Sequence, residues 1–265
     1  MRLKINHTTR YHFDQPASYG LQQLRKTPKT LHHQKVAEWN TALTGASREV
    51  SFHDHHNNVV ELISFDRDTT ELIVQSEGLV EVDETHGVLG RHLGPSPLWL
   101  YKAPSPRTQP GAGVRGLVRA VSGDTDLDRL HALMAAVHGT VAYEVGASKP
   151  DWFAEDALAA GRGVCQDHAH VFIAAAREMG FPARYVSGYL MLNDRTVQEA
   201  MHAWAEAHVD GLGWVGFDVS NGISPDQRYV RVATGLDYAD AAPVSGIRIG
   251  GLGEALEVQI NVAQQ

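Results

Sequence analysis

Residues 161–190 read GRGVCQDHAHVFIAAAREMGFPARYVSGYL, and this stretch contains a helix with signals at both ends. Two glycines precede Cys165, apolar residues at helical spacing follow it, and Gly180 with Pro182 ends the pattern. A β-prone run over 183–192 comes next. The pattern predicts a helix that carries Cys165 in its first turn and leads directly into a strand.

The start of a helix is a position that favours a reactive cysteine. The unpaired N–H groups and the positive dipole end of the helix favour the thiolate anion, which is the nucleophilic form of cysteine. Cys165 is the only cysteine in the chain, which excludes an internal disulfide and a multi-thiolate metal site. The alternative is that Cys165 is a small buried apolar side chain, as single cysteines in helices often are.

A second block supplies a base and a carboxylate. Residues 201–209 read MHAWAEAHV, in which large or polar residues alternate with small apolar ones, as in a strand with two distinct faces. The turn-forming sequence DGLG follows, and the next strand, WVGFD, returns Asp218 close to His202 as part of a hairpin. A thiol enzyme needs an imidazole to move protons and a carboxylate to orient it. The alternative is a strand histidine beside an ordinary turn aspartate.

Four blocks, taken in order, resemble those of the bacterial transglutaminase-like superfamily: 163–170 (GVCQDHAH), 183–189 (ARYVSGY), 202–206 (HAWAE) and 214–218 (WVGFD). The resemblance implies an α+β fold with a papain-like core, in which the helix carrying Cys165 packs on an antiparallel sheet, preceded by an all-β N-terminal domain. It also implies a catalytic triad. Cys165 would be the nucleophile, His202 the general base and acid, and Asp218 the carboxylate that orients the imidazole.

The resemblance extends to residues around this triad. An oxyanion needs donors besides the Cys165 backbone N–H, and Tyr143 is the expected donor because it follows the first predicted helix, with Trp152 as the less favoured alternative. The residues expected to line the substrate cleft are Gln166, Tyr189 and Trp204.

His168 and His170 lie close to Cys165 in the sequence and, with it, resemble a set of metal ligands. On one helix Cys165 and His168 are neighbours, whereas His170 points elsewhere, so a shared metal ion is disfavoured. The chain also lacks an EF-hand-like run of acidic ligands, so calcium regulation is not expected. We therefore predict no metal and no other cofactor.

The chain divides into two predicted domains and a connector. Residues 1–90 contain short β-prone runs separated by turn-like residues, which predicts a β-rich N-terminal domain. Residues 91–112 are rich in proline and glycine and form the predicted connector. Residues 113–265 form the predicted catalytic domain, with a helix over 125–140 and further strands at its C-terminal end.

Composition and charge narrow the class of partner. The chain is 43% hydrophobic and 20% charged, which is typical of an ordinary globular protein. Its formal net charge of -8 argues against a nucleic acid or an anionic membrane as partner. The start of the sequence has no apolar run of the signal-peptide kind, so the cytoplasm is the predicted location. The oligomeric state is not predicted.

These residues predict a thiol-dependent amide-bond enzyme that works through an acyl-enzyme on peptide or carboxamide substrates. Hydrolysis, as in a cysteine protease or amidase, is the preferred outcome because water is always present at high concentration. Acyl transfer from protein glutamine to an amine, as in a transglutaminase, is one alternative. A non-catalytic peptide-binding module and a metal-dependent hydrolase that uses some of the 15 histidines are two others.

Overall fold

Period-two alternation of buried and exposed residues builds the first part of the chain. In the computed structural model, which describes residues 1–149, 151–194 and 196–265, Leu3, Ile5 and His7 are buried on one face of the first strand. Alternate residues of a strand share a face, so this pattern places one side of the strand on a core. The strands of this part are β1 (Arg2–Leu24), β2 (Gln34–Thr44), β3 (Ala46–His53), β4 (Val59–Phe65) and β5 (Thr69–Val82).

Helices dominate the middle of the chain. The helix predicted over 125–140 is confirmed, and Thr125 caps it by accepting a hydrogen bond from the Asp128 N–H. The helix predicted to begin near Cys165 is also confirmed, and almost all of its length is buried. The elements of this part are β6 (Val88–Gly90), α1 (Ala112–Ala120), α2 (Asp126–Thr140), β7 (Ala142–Tyr143), α3 (Ala154–Ala160), β8 (Arg162–Gly163) and α4 (Cys165–Glu178).

Strands return after α4, as the sequence predicted. One of them, at 229–235, was not predicted, and its first residue, Tyr229, contacts Asp218. None of the helices in the described part of the chain combines the length and apolar character needed to cross a bilayer. The elements are β9 (Ala183–Leu190), β10 (Val197–Gln198), β11 (His202–Val209), β12 (Gly213–Phe217), β13 (Tyr229–Gly235), α5 (Tyr238–Ala241), β14 (Val244–Gly250) and β15 (Glu254–Gln264).

A five-stranded antiparallel sheet carries the second half of the fold, in the order β13-β9-β11-β12-β6. Small side chains on one face of β11, at Ala203, Ala205 and Ala207, belong to the same buried core as Phe172 of α4. Small residues on that face let the helix approach the sheet closely. The predicted α+β arrangement, a cysteine-bearing helix packed on an antiparallel sheet after an all-β region, is confirmed.

An eight-stranded sheet surrounds β1. Along one edge of β1, β15 pairs with its first half and β14 with its second half; along the other edge, β5 and β4 do the same. The last two strands of the chain therefore lie in the N-terminal sheet, and β6 lies in the other sheet. The predicted division into 1–90, 91–112 and 113–265 differs from this pairing, because local sequence patterns do not show which distant strands meet.

The two sheets share a buried core, which fixes the N-terminal sheet against the rest of the molecule. Leu3, Ile5 and Val80 of the eight-stranded sheet pack with Tyr189 and Val230 of the five-stranded sheet. Because interiors are close-packed, such a shared core holds the facing surfaces in a fixed relation. Side chains of β1 and β15 can therefore contribute to a site whose other residues lie on α4 and β11.

A buried ionic cluster connects β11 to the neighbouring strands of the five-stranded sheet. Glu206 is fully buried, with Oε2 2.6 Å from Arg184 Nη2 and Oε1 2.5 Å from Arg231 Nε. Burial raises the pKa of a carboxyl, but the two guanidinium groups outweigh burial and lower the pKa of Glu206 to about 2. The carboxylate therefore stays charged and holds β11 to β9 and β13.

Replacing Glu206 with alanine is expected to destabilise the fold strongly. The substitution leaves the buried guanidinium of Arg231 and the partly buried one of Arg184 without their carboxylate, and removing one partner of a buried pair costs about 3–5 kcal/mol. Urea unfolding measures the loss. A matched control is Glu257→Ala, which breaks an exposed pair with Arg10 and is expected to cost about 0–1 kcal/mol. Equal effects of the two substitutions would show that the cluster contributes no more than a surface pair.

Candidate active site

Local backbone geometry places Cys165 at the N terminus of α4. Val164 is extended, and its N–H donates to Asp167 Oδ2 at 2.8 Å, which closes the start of the helix. Gly163 has no room for a side chain, since a Cβ there would lie 2.7 Å from the Asp167 Cβ. Cys165 is a free, half-buried cysteine. The first N–H groups of α4 have no acceptor within the helix, so they are oriented toward an anion at this end.

His202 and Asp218 are in direct contact. His202 Nε2 lies 2.6 Å from Asp218 Oδ2, and the carboxyl group is completely buried while the imidazole is only 12% exposed. Phe217 pairs with Ala205 across the hairpin of β11 and β12, so Asp218 continues the second strand beside the start of the first. The hairpin predicted from the sequence therefore brings these two side chains together.

Two residues that the sequence analysis missed hold Asp218 in place. Asp218 Oδ2 also accepts hydrogen bonds from Asn221 Nδ2 and from the Tyr229 hydroxyl, both at 2.7 Å. Burial raises the pKa of a carboxyl, but the hydrogen bonds from His202, Asn221 and Tyr229 outweigh it and keep the pKa of Asp218 below its ordinary value. Asn221 follows Asp218 by three residues, and this short spacing was the signal in the sequence that could have identified it. Tyr229 lies on β13, the strand that was not predicted.

Cys165 is the second group that acts on the His202 ring. Burial lowers the pKa of the ring, but hydrogen bonds to Asp218 and to Cys165, together with the negative charges of both partners, raise the pKa of His202 to about 10. Since Nε2 is held by Asp218, Nδ1 is the ring nitrogen left for the sulfur. An imidazole that is a strong base can take the proton of a neighbouring thiol, which is the ion pair from which a cysteine nucleophile reacts.

Histidine-ring NMR is expected to show His202 still protonated at pH 8 and titrating near pH 10, against an ordinary value of 6.5. Cys165→Ala removes a hydrogen bond and a negative charge, so the pKa of His202 should fall toward the ordinary value. Because the pKa is raised on folding, the stabilisation is fully present below pH 6.5 and is lost as the pH rises through about 10. The His202 resonance is assigned as the one that is absent from the spectrum of the His202→Gln variant. A His202 pKa near 6.5 in both the native chain and Cys165→Ala would contradict the ion pair.

Cys165 and His202 open into a cavity of about 400 Å³ between the two sheets. Gln166 lines this cavity, where the sequence analysis expected it. Tyr185 lines it too, whereas the sequence prediction placed Tyr189 of the same strand in the cleft. Burial, together with the negative charges around it, raises the pKa of Tyr185 well above its ordinary value, so its hydroxyl keeps its proton and can donate a hydrogen bond.

Tyr189 and Trp204, which the sequence analysis placed in the substrate cleft, lie behind the site instead. Tyr189 is buried between the sheets, with its hydroxyl 3.0 Å from His7 Nδ1. Trp204 is also buried, and its ring stacks at 6.2 Å on that of His202. Strand alternation shows which residues share a face, but it does not show how much of that face another element covers. Both residues therefore support the site from within the core.

Tyr143, the expected oxyanion donor, lies on β7, which pairs in parallel with β8 directly before the cysteine. Its backbone partner is Gly163, two residues before Cys165, and its side chain is 53% exposed. Its ring lies 6.0 Å from that of His168. Tyr143 does not line the cavity. Trp152, the alternative donor, packs partly buried against the helical core.

The histidines that follow Cys165 have partners in the core. His168 Nδ1 lies 2.8 Å from Ser220 Oγ and Nε2 lies 2.8 Å from the Val141 carbonyl. His170 accepts a hydrogen bond from the Tyr238 N–H at 3.2 Å, and burial lowers its pKa to about 3. Within the described residues, no three His, Cys, Asp or Glu side chains are grouped as a metal site would require. His168 and His170 therefore act as structural residues that fix α4.

Two family descriptions match the chain. Residues 115–219, which contain Cys165, His202 and Asp218, match the transglutaminase-like superfamily, and residues 3–81 match the bacterial transglutaminase-like N-terminal region. The match over 3–81 covers nearly all of β1 to β5 in the eight-stranded sheet, and the match over 115–219 contains α4 with β9, β11 and β12 of the five-stranded sheet. Strands β6, β13, β14 and β15 lie outside both matches.

The chain is similar over nearly its whole length to uncharacterised mycobacterial proteins. It is 28% identical to one from Mycobacterium leprae over 99% of both chains, and 27% identical to one from Mycobacterium tuberculosis over 93% of this chain and 87% of that protein. The crystal structure of a proposed cysteine protease from Cytophaga hutchinsonii has the same fold, with a TM-score of 0.79 at 21% identity, over 99% of this chain and 90% of that one.

Proposed function

The chain belongs to the transglutaminase-like superfamily, and from this premise we propose that it is a cysteine protease or amidase that hydrolyses peptide or carboxamide bonds. One observation carries the proposal: the imidazole of His202 is hydrogen-bonded to the buried Asp218 and lines the same cavity as Cys165. This is the arrangement that nucleophilic thiol catalysis needs. Cys165, His202 and Asp218 are the proposed catalytic triad.

The proposed reaction has two steps. The Cys165 sulfur attacks the carbonyl carbon, the oxyanion accepts hydrogen bonds from N–H groups at the start of α4, and His202 gives its proton to the departing amine as the C–N bond breaks. Water then enters, His202 takes a proton from it, and the hydroxide attacks the thioester. The C–S bond then breaks, which releases the acid and leaves the Cys165 sulfur to share the proton that His202 took from water, and Asp218 keeps the imidazole oriented throughout.

Acyl transfer is the alternative, and it differs from hydrolysis only in the second nucleophile. A test uses peptides with an internal glutamine and peptides with a scissile backbone amide, each with and without cadaverine, followed by mass spectrometry. We expect acid products in both conditions, inhibited by iodoacetamide and unaffected by a chelator. Products that carry cadaverine in place of acid would support a transglutaminase; binding without turnover of any peptide would support a non-catalytic module.

The proposed partner is a peptide or protein, and the proposed location is the cytoplasm. A free cysteine nucleophile is compatible with a reducing compartment, where thiols are kept reduced. The net charge of -8 supports neither a nucleic acid nor an anionic membrane as a partner. Fractionation of the native host with an antibody against the chain tests the location, and recovery outside the cytoplasm would contradict it.

A further inference from the structure

The wall of the cavity that faces Cys165 comes from the N-terminal sheet. Thr9 and Tyr11 of β1 line it beside Val258 and Leu256 of β15. Thr9 is the register partner of Val258, and Tyr11 is the register partner of Leu256, so the four side chains form one continuous patch of sheet. The proposed catalytic residues lie on α4 and β11, whereas this patch lies on the other sheet.

The polar groups at the base of this wall are occupied by one another. Lys26 Nζ donates to Thr9 Oγ1 at 2.7 Å, Thr9 Oγ1 lies 3.1 Å from His7 Nε2, and His7 Nδ1 lies 3.0 Å from the Tyr189 hydroxyl. Lys26, Thr9 and His7 are all buried. Buried polar groups that already have partners gain little from a polar ligand.

The remaining surface of this wall is apolar. Besides Tyr11, Leu256 and Val258, Pro243 and Val244 line the same side of the cavity. Water in contact with such side chains is released when an apolar ligand enters, which favours binding by roughly 25 cal/mol for each Å² of apolar surface buried. The volume of about 400 Å³ lies near the small end of the range for ligand sites, about 300–1,000 Å³, and suits one or two amino-acid residues.

We propose that the patch formed by Thr9, Tyr11, Leu256 and Val258 is a specificity site for an apolar side chain, aliphatic or aromatic, next to the attacked carbonyl. This inference rests on the proposed thiol function and adds the class of substrate. In this arrangement the N-terminal sheet selects the acyl group, and α4 with β11 carries out the chemistry. Substrates with glycine or a charged residue at that position lose the burial of the side chain.

Two alkylating probes test the site, because Cys165 is the only thiol in the chain. Iodoacetamide and N-benzyl-iodoacetamide share one electrophile and differ by an apolar ring. The alkylation rate of Cys165 with each probe is measured by intact mass, and the rate with N-benzyl-iodoacetamide is divided by the rate with iodoacetamide. This ratio is then divided by the same ratio for free cysteine. We expect this normalised ratio to be about tenfold or more above one, the scale of discrimination that an apolar pocket provides.

Substitutions in the patch give the decisive comparison. Leu256 is 55% exposed, so Leu256→Trp fills the cavity without disturbing the core and is expected to lower the normalised ratio about tenfold. Val258→Trp, deeper in the site, should lower it further. The control is Val50→Trp at an exposed strand position, which should leave the ratio and the melting temperature unchanged.

The ratio can be measured whether or not the thiol is activated, so the two proposals fail in different ways. A normalised ratio near one for the native chain, or a ratio that Leu256→Trp leaves unchanged, would overturn the specificity site. A low absolute rate that does not depend on His202, with a high ratio, would instead overturn the proposed thiol function and leave the apolar site standing.

Discussion

Cys165→Ser is expected to abolish amide hydrolysis, with a fall in kcat of about five to six orders of magnitude, as found when a nucleophile is removed from a comparable triad. A serine hydroxyl does not form the ion pair with His202, so the nucleophile is lost although the cavity and α4 remain. Turnover of the best peptide substrate, measured at saturating concentration, gives the effect. The melting temperature and the substrate Kd should stay close to those of the native chain.

His202→Ala should cost nearly as much as Cys165→Ser, because the two side chains act as one unit. The double variant is then expected to be no slower than either single variant, since strongly coupled residues are non-additive. Independent, additive losses would contradict the pairing of sulfur and imidazole. Activity that survives Cys165→Ser and is removed by a chelator would point to a metal-dependent reaction instead.

Asp218→Asn is expected to lower kcat by about four orders of magnitude while leaving the fold intact, the effect seen when the orienting carboxylate of a triad becomes an amide. Asp218 Oδ2 accepts three hydrogen bonds, from His202, Asn221 and Tyr229. A neutral amide loses the charge that stabilises the imidazolium, and its NH2 group cannot accept from any of these donors.

Tyr229→Phe is the matched control for Asp218→Asn. It removes one of the three hydrogen bonds but leaves the carboxylate and its contact with His202, so we expect a loss of only about tenfold, the order of one hydrogen bond to a charged group. Ring NMR separates the two variants further, because the pKa of His202 should fall much more in Asp218→Asn. A loss in Asp218→Asn no larger than that in Tyr229→Phe would contradict the orienting role.

Short-range patterns predicted the helix that carries Cys165 and the hairpin that carries His202 and Asp218. Glycines before Cys165 and the Gly180 and Pro182 pair after it mark the two ends of α4, because these residues have strong local backbone preferences. The hairpin that joins His202 to Asp218 is also local, with a turn of few residues. Each of these signals lies within a short stretch of chain, which is why sequence alone was sufficient.

Long-range pairing explains what the sequence did not predict. Thr9 and Tyr11 read as alternate residues of an ordinary strand, and nothing near them in sequence indicates that they face Cys165. The same holds for Tyr229, which reaches Asp218 from a strand that was overlooked. Tyr189 shows the converse, since its neighbours on the same strand line the cavity while the N-terminal sheet covers Tyr189 itself.

The pairing of β1 with β15 has a consequence for biosynthesis. The ribosome makes β1 long before β15, which is the partner of its first half, with Leu3 opposite Gln264. Contacts between residues so distant in sequence form late, because the chain between them must first be closed into a loop. The wall that faces Cys165 is thus among the last parts to assemble, and a nascent chain carries Cys165 without an enclosed pocket.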